Sequence, residues 1–205
     1  MAIAAKLEER VAEQSIFAQL VSLACHDLRT PLATATGFAH TLERLDGLEA
    51  PADRYAEMIG AASEQMAELL DLLGAAARIE SGRFEAQRRE ANVRQLADAA
   101  VARLADGQAV ADGDGGTVRV DPPWTETSLA ALGECIRRHG ALDQVTFAVE
   151  DSTVSIGPVV DGVGPIALGD DLRDFGAAVG TRVLIAMDAE LALRGETLAV
   201  RLPPA

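Results

Sequence analysis

Apolar residues recur every three or four positions through the first part of the chain. Between about Ala4 and Leu45 they are Phe17, Leu20, Ala24, Leu28, Leu32, Ala35, Phe38 and Leu42, the one-face pattern of an amphipathic helix. Asp46-Gly47-Leu48-Glu49-Ala50-Pro51 reads as a turn. A second stripe follows it: Tyr55, Met58, Ile59, Ala62, Met66, Leu69, Leu70, Leu73, Ala76 and Ile79. This stripe stops at Ser81-Gly82, where glycine is a natural terminator. Two helices joined by a short turn make an antiparallel hairpin with nothing covering its outer side. A second copy packed on the stripe closes a four-helix bundle, so a homodimer is the economical expectation. Cover by the C-terminal half is the alternative.

After Gly82 the pattern changes. Arg83 to Ala91 reads as a short strand and Val93 to Leu104 as a helix. Asp106 to Gly116 is rich in Gly and Asp and reads as a loop. Val118-Arg119-Val120 is expected to be a strand, and Pro122 to open a helix reaching about His139. Val145–Val149 and Thr153–Ile156 resemble a hairpin, and Gly157 to Gly176 is expected to be irregular. A helix over Val179–Leu193 and a strand over Thr197–Leu202 finish the chain. Such a mixture indicates a small α/β sandwich. The domains expected are therefore 1–82, a helical hairpin, and 83–205, an α/β domain.

Composition narrows the partners. The chain of 205 residues is 49% hydrophobic but only 3% aromatic, so its core must be built from Ala, Leu and Val. A net charge of −14 counts against nucleic acid or an anionic membrane as the main partner. Lys6 is the only lysine. Cys25 and Cys135 are isolated and show no CxxC spacing, so neither a zinc site nor a disulfide framework is suggested. No signal peptide is apparent, and no apolar run approaches the roughly 18 residues that span a bilayer. The expected location is the reducing cytoplasm, without membrane insertion.

The most informative string is His26-Asp27-Leu28-Arg29-Thr30-Pro31-Leu32. Pro31 stands inside an otherwise helical pattern. An interior proline removes an N–H donor and clashes with the carbonyl four residues back, at a cost of roughly 3 kcal/mol. Here that carbonyl belongs to Asp27. Retaining such a kink beside a nucleophilic imidazole points to function rather than packing.

The segment Phe17 to Leu42, with Gly37-Phe38, resembles the phospho-accepting box of sensor histidine kinases. Asp71-Leu72-Leu73 through Arg78-Ile79-Glu80-Ser81-Gly82 resembles the end of that family's second dimerisation helix. The resemblance covers roughly residues 10–105. It implies a HisKA-type dimeric four-helix bundle followed by a small α/β sandwich of the Bergerat (GHKL) ATPase type. It also implies that His26 carries a phosphoryl group as a phosphoramidate. A neutral imidazole has the lone pair that such an attack requires. By the same resemblance, Asp27 holds or deprotonates the ring. Thr30, one turn on, positions the water that hydrolyses a partner's phospho-aspartate. Arg29 is either a screen for phosphate charge or an ordinary solvated arginine.

The resemblance weakens in the second half. Val120-Asp121-Pro122 looks like the start of the helix bearing the family's Mg²⁺-binding asparagine, but Cys135 stands at the asparagine position and His139 one turn later. A thiol is a poor Mg²⁺ ligand. The closest approach to the nucleotide motif D-x-G-x-G is Asp161-Gly162-Val163-Gly164, out of register by one. Gly180-Thr181-Arg182-Val183-Leu184 resembles the last glycine box, with Arg182 in place of a glycine. The expectation is a degenerate ATPase-like domain with no ATP use and no metal of its own. His26 would then exchange phosphoryl groups with aspartates of response-regulator receiver domains, which supply the Mg²⁺. The phosphate would come from a partner such as an upstream hybrid kinase. Two alternatives stay open: a true autokinase and phosphatase with a divergent ATP site, and a silent scaffold that docks a receiver or kinase.

Overall fold

The computed structural model describes residues 16, 20, 21, 23, 24, 26–38, 41 and 51–205. Phe17, Cys25, Leu42 and the turn at 46–50 lie outside the described residues. The chain divides into two compact units, Met1–Gly74 and Ala75–Ala205. Among the described residues, no helix is long and apolar enough to cross a membrane.

The first unit is helical. Helix α1 runs unbroken over residues 26–38, straight through Pro31, and residues 16, 20, 21, 23, 24 and 41 are helical too. Helix α2 spans Pro51–Glu80. Leu20, Ala24, Ala62 and Leu72 are buried, and the rings of Phe38 and Tyr55 stack at 5.6 Å between centroids and 22° between planes. Leu32 and Leu70, both in the apolar stripes, are left uncovered in the single chain. They are 55% and 57% exposed, whereas Pro31 is buried. Helix α2 ends as its sequence dictates: Gly82 adopts φ +66°, and the Arg83 N–H returns to the Arg78 carbonyl at 2.8 Å.

The second unit is a two-layer α/β fold. Strand β1 (Arg89–Asn92) pairs antiparallel with β3 (Thr117–Val120) in a small ribbon. The main sheet has the order β2-β4-β5-β7-β6, from Ala109–Gly115, Val145–Asp151, Thr153–Gly157, Thr197–Arg201 and Glu190–Arg194. Only β2 and β4 are parallel; the other neighbours are antiparallel. Helices α3 (Val93–Val101), α4 (Pro122–His139) and α6 (Phe175–Ala186) pack against the sheet, and α5 (Gly164–Ala167) is a single turn. Alternation on β4 explains the layering. Val145, Phe147 and Val149 point into the core, while Thr146, Ala148 and Glu150 face outward.

Each long helix here starts on a side chain suited to it. The Asn92 amide oxygen accepts from the N–H groups of Arg94 and Gln95. Asp121 precedes Pro122 at the start of α4, and its carboxylate accepts from Trp124 N–H at 3.5 Å and from Gln87 N–H at 2.8 Å. Asp174 caps α6 through Ala177 N–H at 3.0 Å. Helices α4 and α6 then meet through small residues. A Cβ on Gly180 would lie 3.3 Å from Ser128 backbone, and one on Gly176 would lie 3.4 Å from the Ala131 methyl.

Three expectations require correction. The stretch Asp106–Gly116 is not a loop but contains β2. Its Asp and Gly residues are poor strand formers, yet pairing with β4 overrides propensity. Arg94 also gives this edge strand donors, from its guanidinium to the carbonyls of Gly113 at 2.7 Å and Ala111 at 3.1 Å. The expected strand at Arg83–Ala91 is confined to Arg89–Asn92. The last helix begins at Phe175, not Val179, and ends at Ala186, so that Glu190–Arg194 forms the edge strand β6. A uniformly apolar run masked the break there, which the left-handed Asp188 (φ +66°) supplies.

Gly113 combines φ +88° with a site where a Cβ would lie 2.1 Å from the Val149 carbonyl oxygen. Gly113→Ala is expected to destabilise the chain by about 1–3 kcal/mol in urea unfolding. Gly107→Ala, with φ +80° but nothing within 4 Å, should cost less, because only the backbone conformation is penalised there.

Candidate functional site

The chemistry-bearing residues fall into two groups, one in each unit. In the first unit, His26 and Asp27 sit side by side on α1. The His26 Nδ1 lies 3.0 Å from Asp27 Oδ1, and the side chains are 75% and 31% exposed. A carboxylate only accepts, so Nδ1 carries a proton in this contact, and a neutral ring so held has its lone pair on Nε2. Asp27 thus favours the Nδ1–H tautomer of the neutral ring, on a side chain that is mostly in solvent. Thr30 and Arg29 are exposed one turn further along. The surrounding threonines are engaged with their own helix, with Thr34 donating to the Thr30 carbonyl at 3.0 Å and Thr36 to the Leu32 carbonyl at 2.9 Å.

The second group joins α4 to the start of α6. Cys135 is fully buried in α4, with His139 half-buried one turn later. Both approach Asp174, the cap of α6. Its Oδ2 receives Arg138 at 2.6 Å and lies 3.2 Å from His139 Nε2. Burial, with the Asp174 charge adding to it, pushes the Cys135 thiol far above its ordinary range, so the sulfur stays protonated as the group stands. A thiol and an imidazole are not a donor set for Mg²⁺, which selects oxygen.

The remaining nucleotide-motif residues lie elsewhere in this unit. Asp161 is exposed in the turn that leads into α5, and Gly162 takes φ +81°. Gly164 packs against β6, where a Cβ would lie 2.4 Å from Leu193 Cδ1. Gly180 faces Ser128, whose buried hydroxyl has no hydrogen-bond partner among the described residues. Arg182 folds along its own helix and donates to the Ala178 carbonyl at 2.9 Å. Burial lowers its pKa, and Glu80 acts in the opposite direction.

Reading the sequence missed Asp174. Its signal was an aspartate directly before Phe-Gly-Ala-Ala-Val, an N-cap pattern in front of an apolar helix. Taking Gly157–Gly176 as irregular hid it. His139 finds its partner there, with Nε2 3.2 Å from Asp174 Oδ2.

Comparison with known proteins agrees with this arrangement. Residues 18–82 match the His Kinase A (phospho-acceptor) domain. Among curated proteins, none matches the chain. In fold, the chain is similar to the histidine kinase AdeS of Acinetobacter baumannii. The two share 17% identity at a TM-score of 0.59, over 87% of this chain and 97% of that one. It is also similar to full-length ShkA, solved in complex with AMPPNP, at 15% identity and a TM-score of 0.51, over 92% of this chain and 47% of that one. At these identities the likeness is one of fold. Residues 18–82 thus form a phospho-acceptor domain of the His Kinase A family, which bears an exposed histidine and is followed by a mixed α/β unit.

Proposed function

We propose that this protein is a phosphotransfer member of its family, in which His26 exchanges a phosphoryl group with the aspartate of a response-regulator receiver domain. The observation that carries the reading is the exposed His26 ring, protonated at Nδ1 by its contact with Asp27 and free at Nε2. In the reaction, Nε2 attacks the phosphorus of the receiver's aspartyl phosphate. A P–N bond forms as the P–O bond breaks, and the receiver's carboxylate leaves. The imidazole becomes cationic, and Asp27 stabilises that charge at Nδ1. The receiver brings the Mg²⁺. Thr30, one turn from His26, is assigned to orienting water for hydrolysis. Phosphoramidate and acyl phosphate are both high-energy linkages, so transfer runs in either direction. The functional boundary is proposed at 82/83, where α2 has ended.

Three features support a domain that has given up ATP. The thiol of Cys135 stands where the family has a Mg²⁺-binding asparagine, and it is engaged with Asp174. The backbone of Gly180 is packed against Ser128. The Arg182 side chain lies along the glycine box. The autokinase remains the second reading, favoured by the intact His26–Asp27 pair and by the fold similarity to AdeS across both units. The dimer is supported by Leu32 and Leu70, large apolar side chains left more than half exposed in a single hairpin.

Incubated with a phosphorylated receiver, the wild-type chain should acquire label on His26, and His26→Ala should acquire none. Asp27→Asn should slow transfer by about 100-fold. Thr30→Ala should spare transfer and slow net hydrolysis. Label on any other residue overturns the assignment.

Calorimetry with Mg·ATP is expected to give no binding at physiological nucleotide concentration. Micromolar affinity, or γ-phosphate label on His26, would establish the autokinase instead.

Solution mass measurement should give a dimer at micromolar concentration. Leu70→Glu should give a folded monomer by helical circular dichroism, because a charge buried between protomers is expensive while one in solvent is not.

A further inference from the structure

We propose that Cys135, His139 and Asp174 form a binding site for a zinc-class divalent ion that ties the end of α4 to the start of α6. The donor atoms of the three side chains, one sulfur, one imidazole nitrogen and one carboxylate oxygen, all lie within 4.8 Å of one another. They come from two different elements. Cys135 and His139 are one turn apart on the same face of α4, and Asp174 caps α6. The His139 Nε2 to Asp174 Oδ2 separation of 3.2 Å matches the edge of a tetrahedron whose metal–ligand bonds are about 2.0–2.1 Å. A mixed S, N, O set selects zinc or cobalt over magnesium or calcium, which take oxygen alone.

The surroundings suit a bound ion. Cys135 and Asp174 are buried, and the half-buried His139 ring marks the side from which an ion enters. Asp174 is already oriented: Oδ1 accepts from Ala177 N–H, and Arg138 donates to Oδ2. A carboxylate oxygen has two lone pairs, so Arg138 can remain as an outer partner while the second lone pair turns to the metal. Two proton changes accompany loading. His139 now directs Nε2 at a carboxylate and so carries its proton there; on binding, that proton sits on Nδ1 and Nε2 presents its lone pair. The thiol releases its proton to solvent and binds as thiolate. Three protein ligands leave a fourth position for water or an exogenous group.

A nucleophilic Cys-His-Asp triad is the competing account of these residues. It fails because the sulfur is fully buried and its proton is held by the surroundings, the reverse of an activated thiolate. The spacing also explains why the pair of cysteines gave no sign of a site. The ligands are a cysteine, a histidine one turn on, and a carboxylate from another element, with no CxxC among them. This inference is independent of whether His26 exchanges phosphate with a receiver.

The full chain, stripped with chelator, should be titrated with Co²⁺. The expected result is a thiolate-to-cobalt charge-transfer band with intense visible absorption of tetrahedral type, saturating at one equivalent. Zn²⁺ should bleach it and excess Mg²⁺ should not. Zn²⁺ should also raise the Tm, because binding to the folded form alone stabilises it. Cys135→Ser and His139→Gln should each lose the saturable band, and Cys25→Ser should keep it. If Cys135→Ser does not fold, His139→Gln decides, since its side chain reaches solvent. No thiolate band in folded wild-type protein, or a band lost with Cys25 and retained without Cys135, overturns the site.

Discussion

The close approach of α4 and α6 is the constraint on which the second unit depends. Gly180 against Ser128 and Gly176 against Ala131 bring the two helices nearly into backbone contact, and larger side chains at these positions would force them apart. That packing brings Cys135 and His139 up to the cap of α6, where Asp174 serves several partners at once. It is also what an aromatic-poor, alanine-rich core requires. Few bulky residues are available to fill space, so the elements themselves move closer. The orphaned Ser128 hydroxyl lies at this contact, and a buried unpaired hydroxyl costs on the order of 1–3 kcal/mol.

The two units treat their histidines in opposite ways. His26 is exposed, and an adjacent carboxylate accepts from its Nδ1. His139 is half-buried and faces a carboxylate from another element, which an arginine also holds. The first arrangement leaves the ring largely in solvent, with its neighbour on the same helix. The second withdraws the ring from the surface into a network that pins one helix to another. The same pair of side chains, imidazole and carboxylate, thus stands exposed along one helix in the first unit and joins two elements in the second.

The helical half and the phospho-accepting box were legible because their signals are local. Proline position, apolar period and the Ser81-Gly82 terminator each act within a turn or two of chain. The start of α4 at Asp121-Pro122 was legible for the same reason, and the helix ends at His139 as expected. Strand β2 was not legible. Asp112, Gly113 and Asp114 favour a loop by propensity, and only the parallel pairing with β4 and the donors of Arg94 make them a strand. The exposure of Leu32 and burial of Pro31 were equally hidden, because a stripe shows which face is apolar but not how far one partner helix covers it.

By itself, then, the sequence determined the helices of the first unit and the phospho-acceptor domain that residues 18–82 match. These rest on neighbouring residues whose geometry a helix sets without outside help. Tertiary structure decided the strand register of the second unit, the short final helix with its edge strand, and the meeting of Cys135, His139 and Asp174. Those features depend on atoms distant in sequence, whose encounter is imposed by the packing of whole helices and sheets rather than by any local preference.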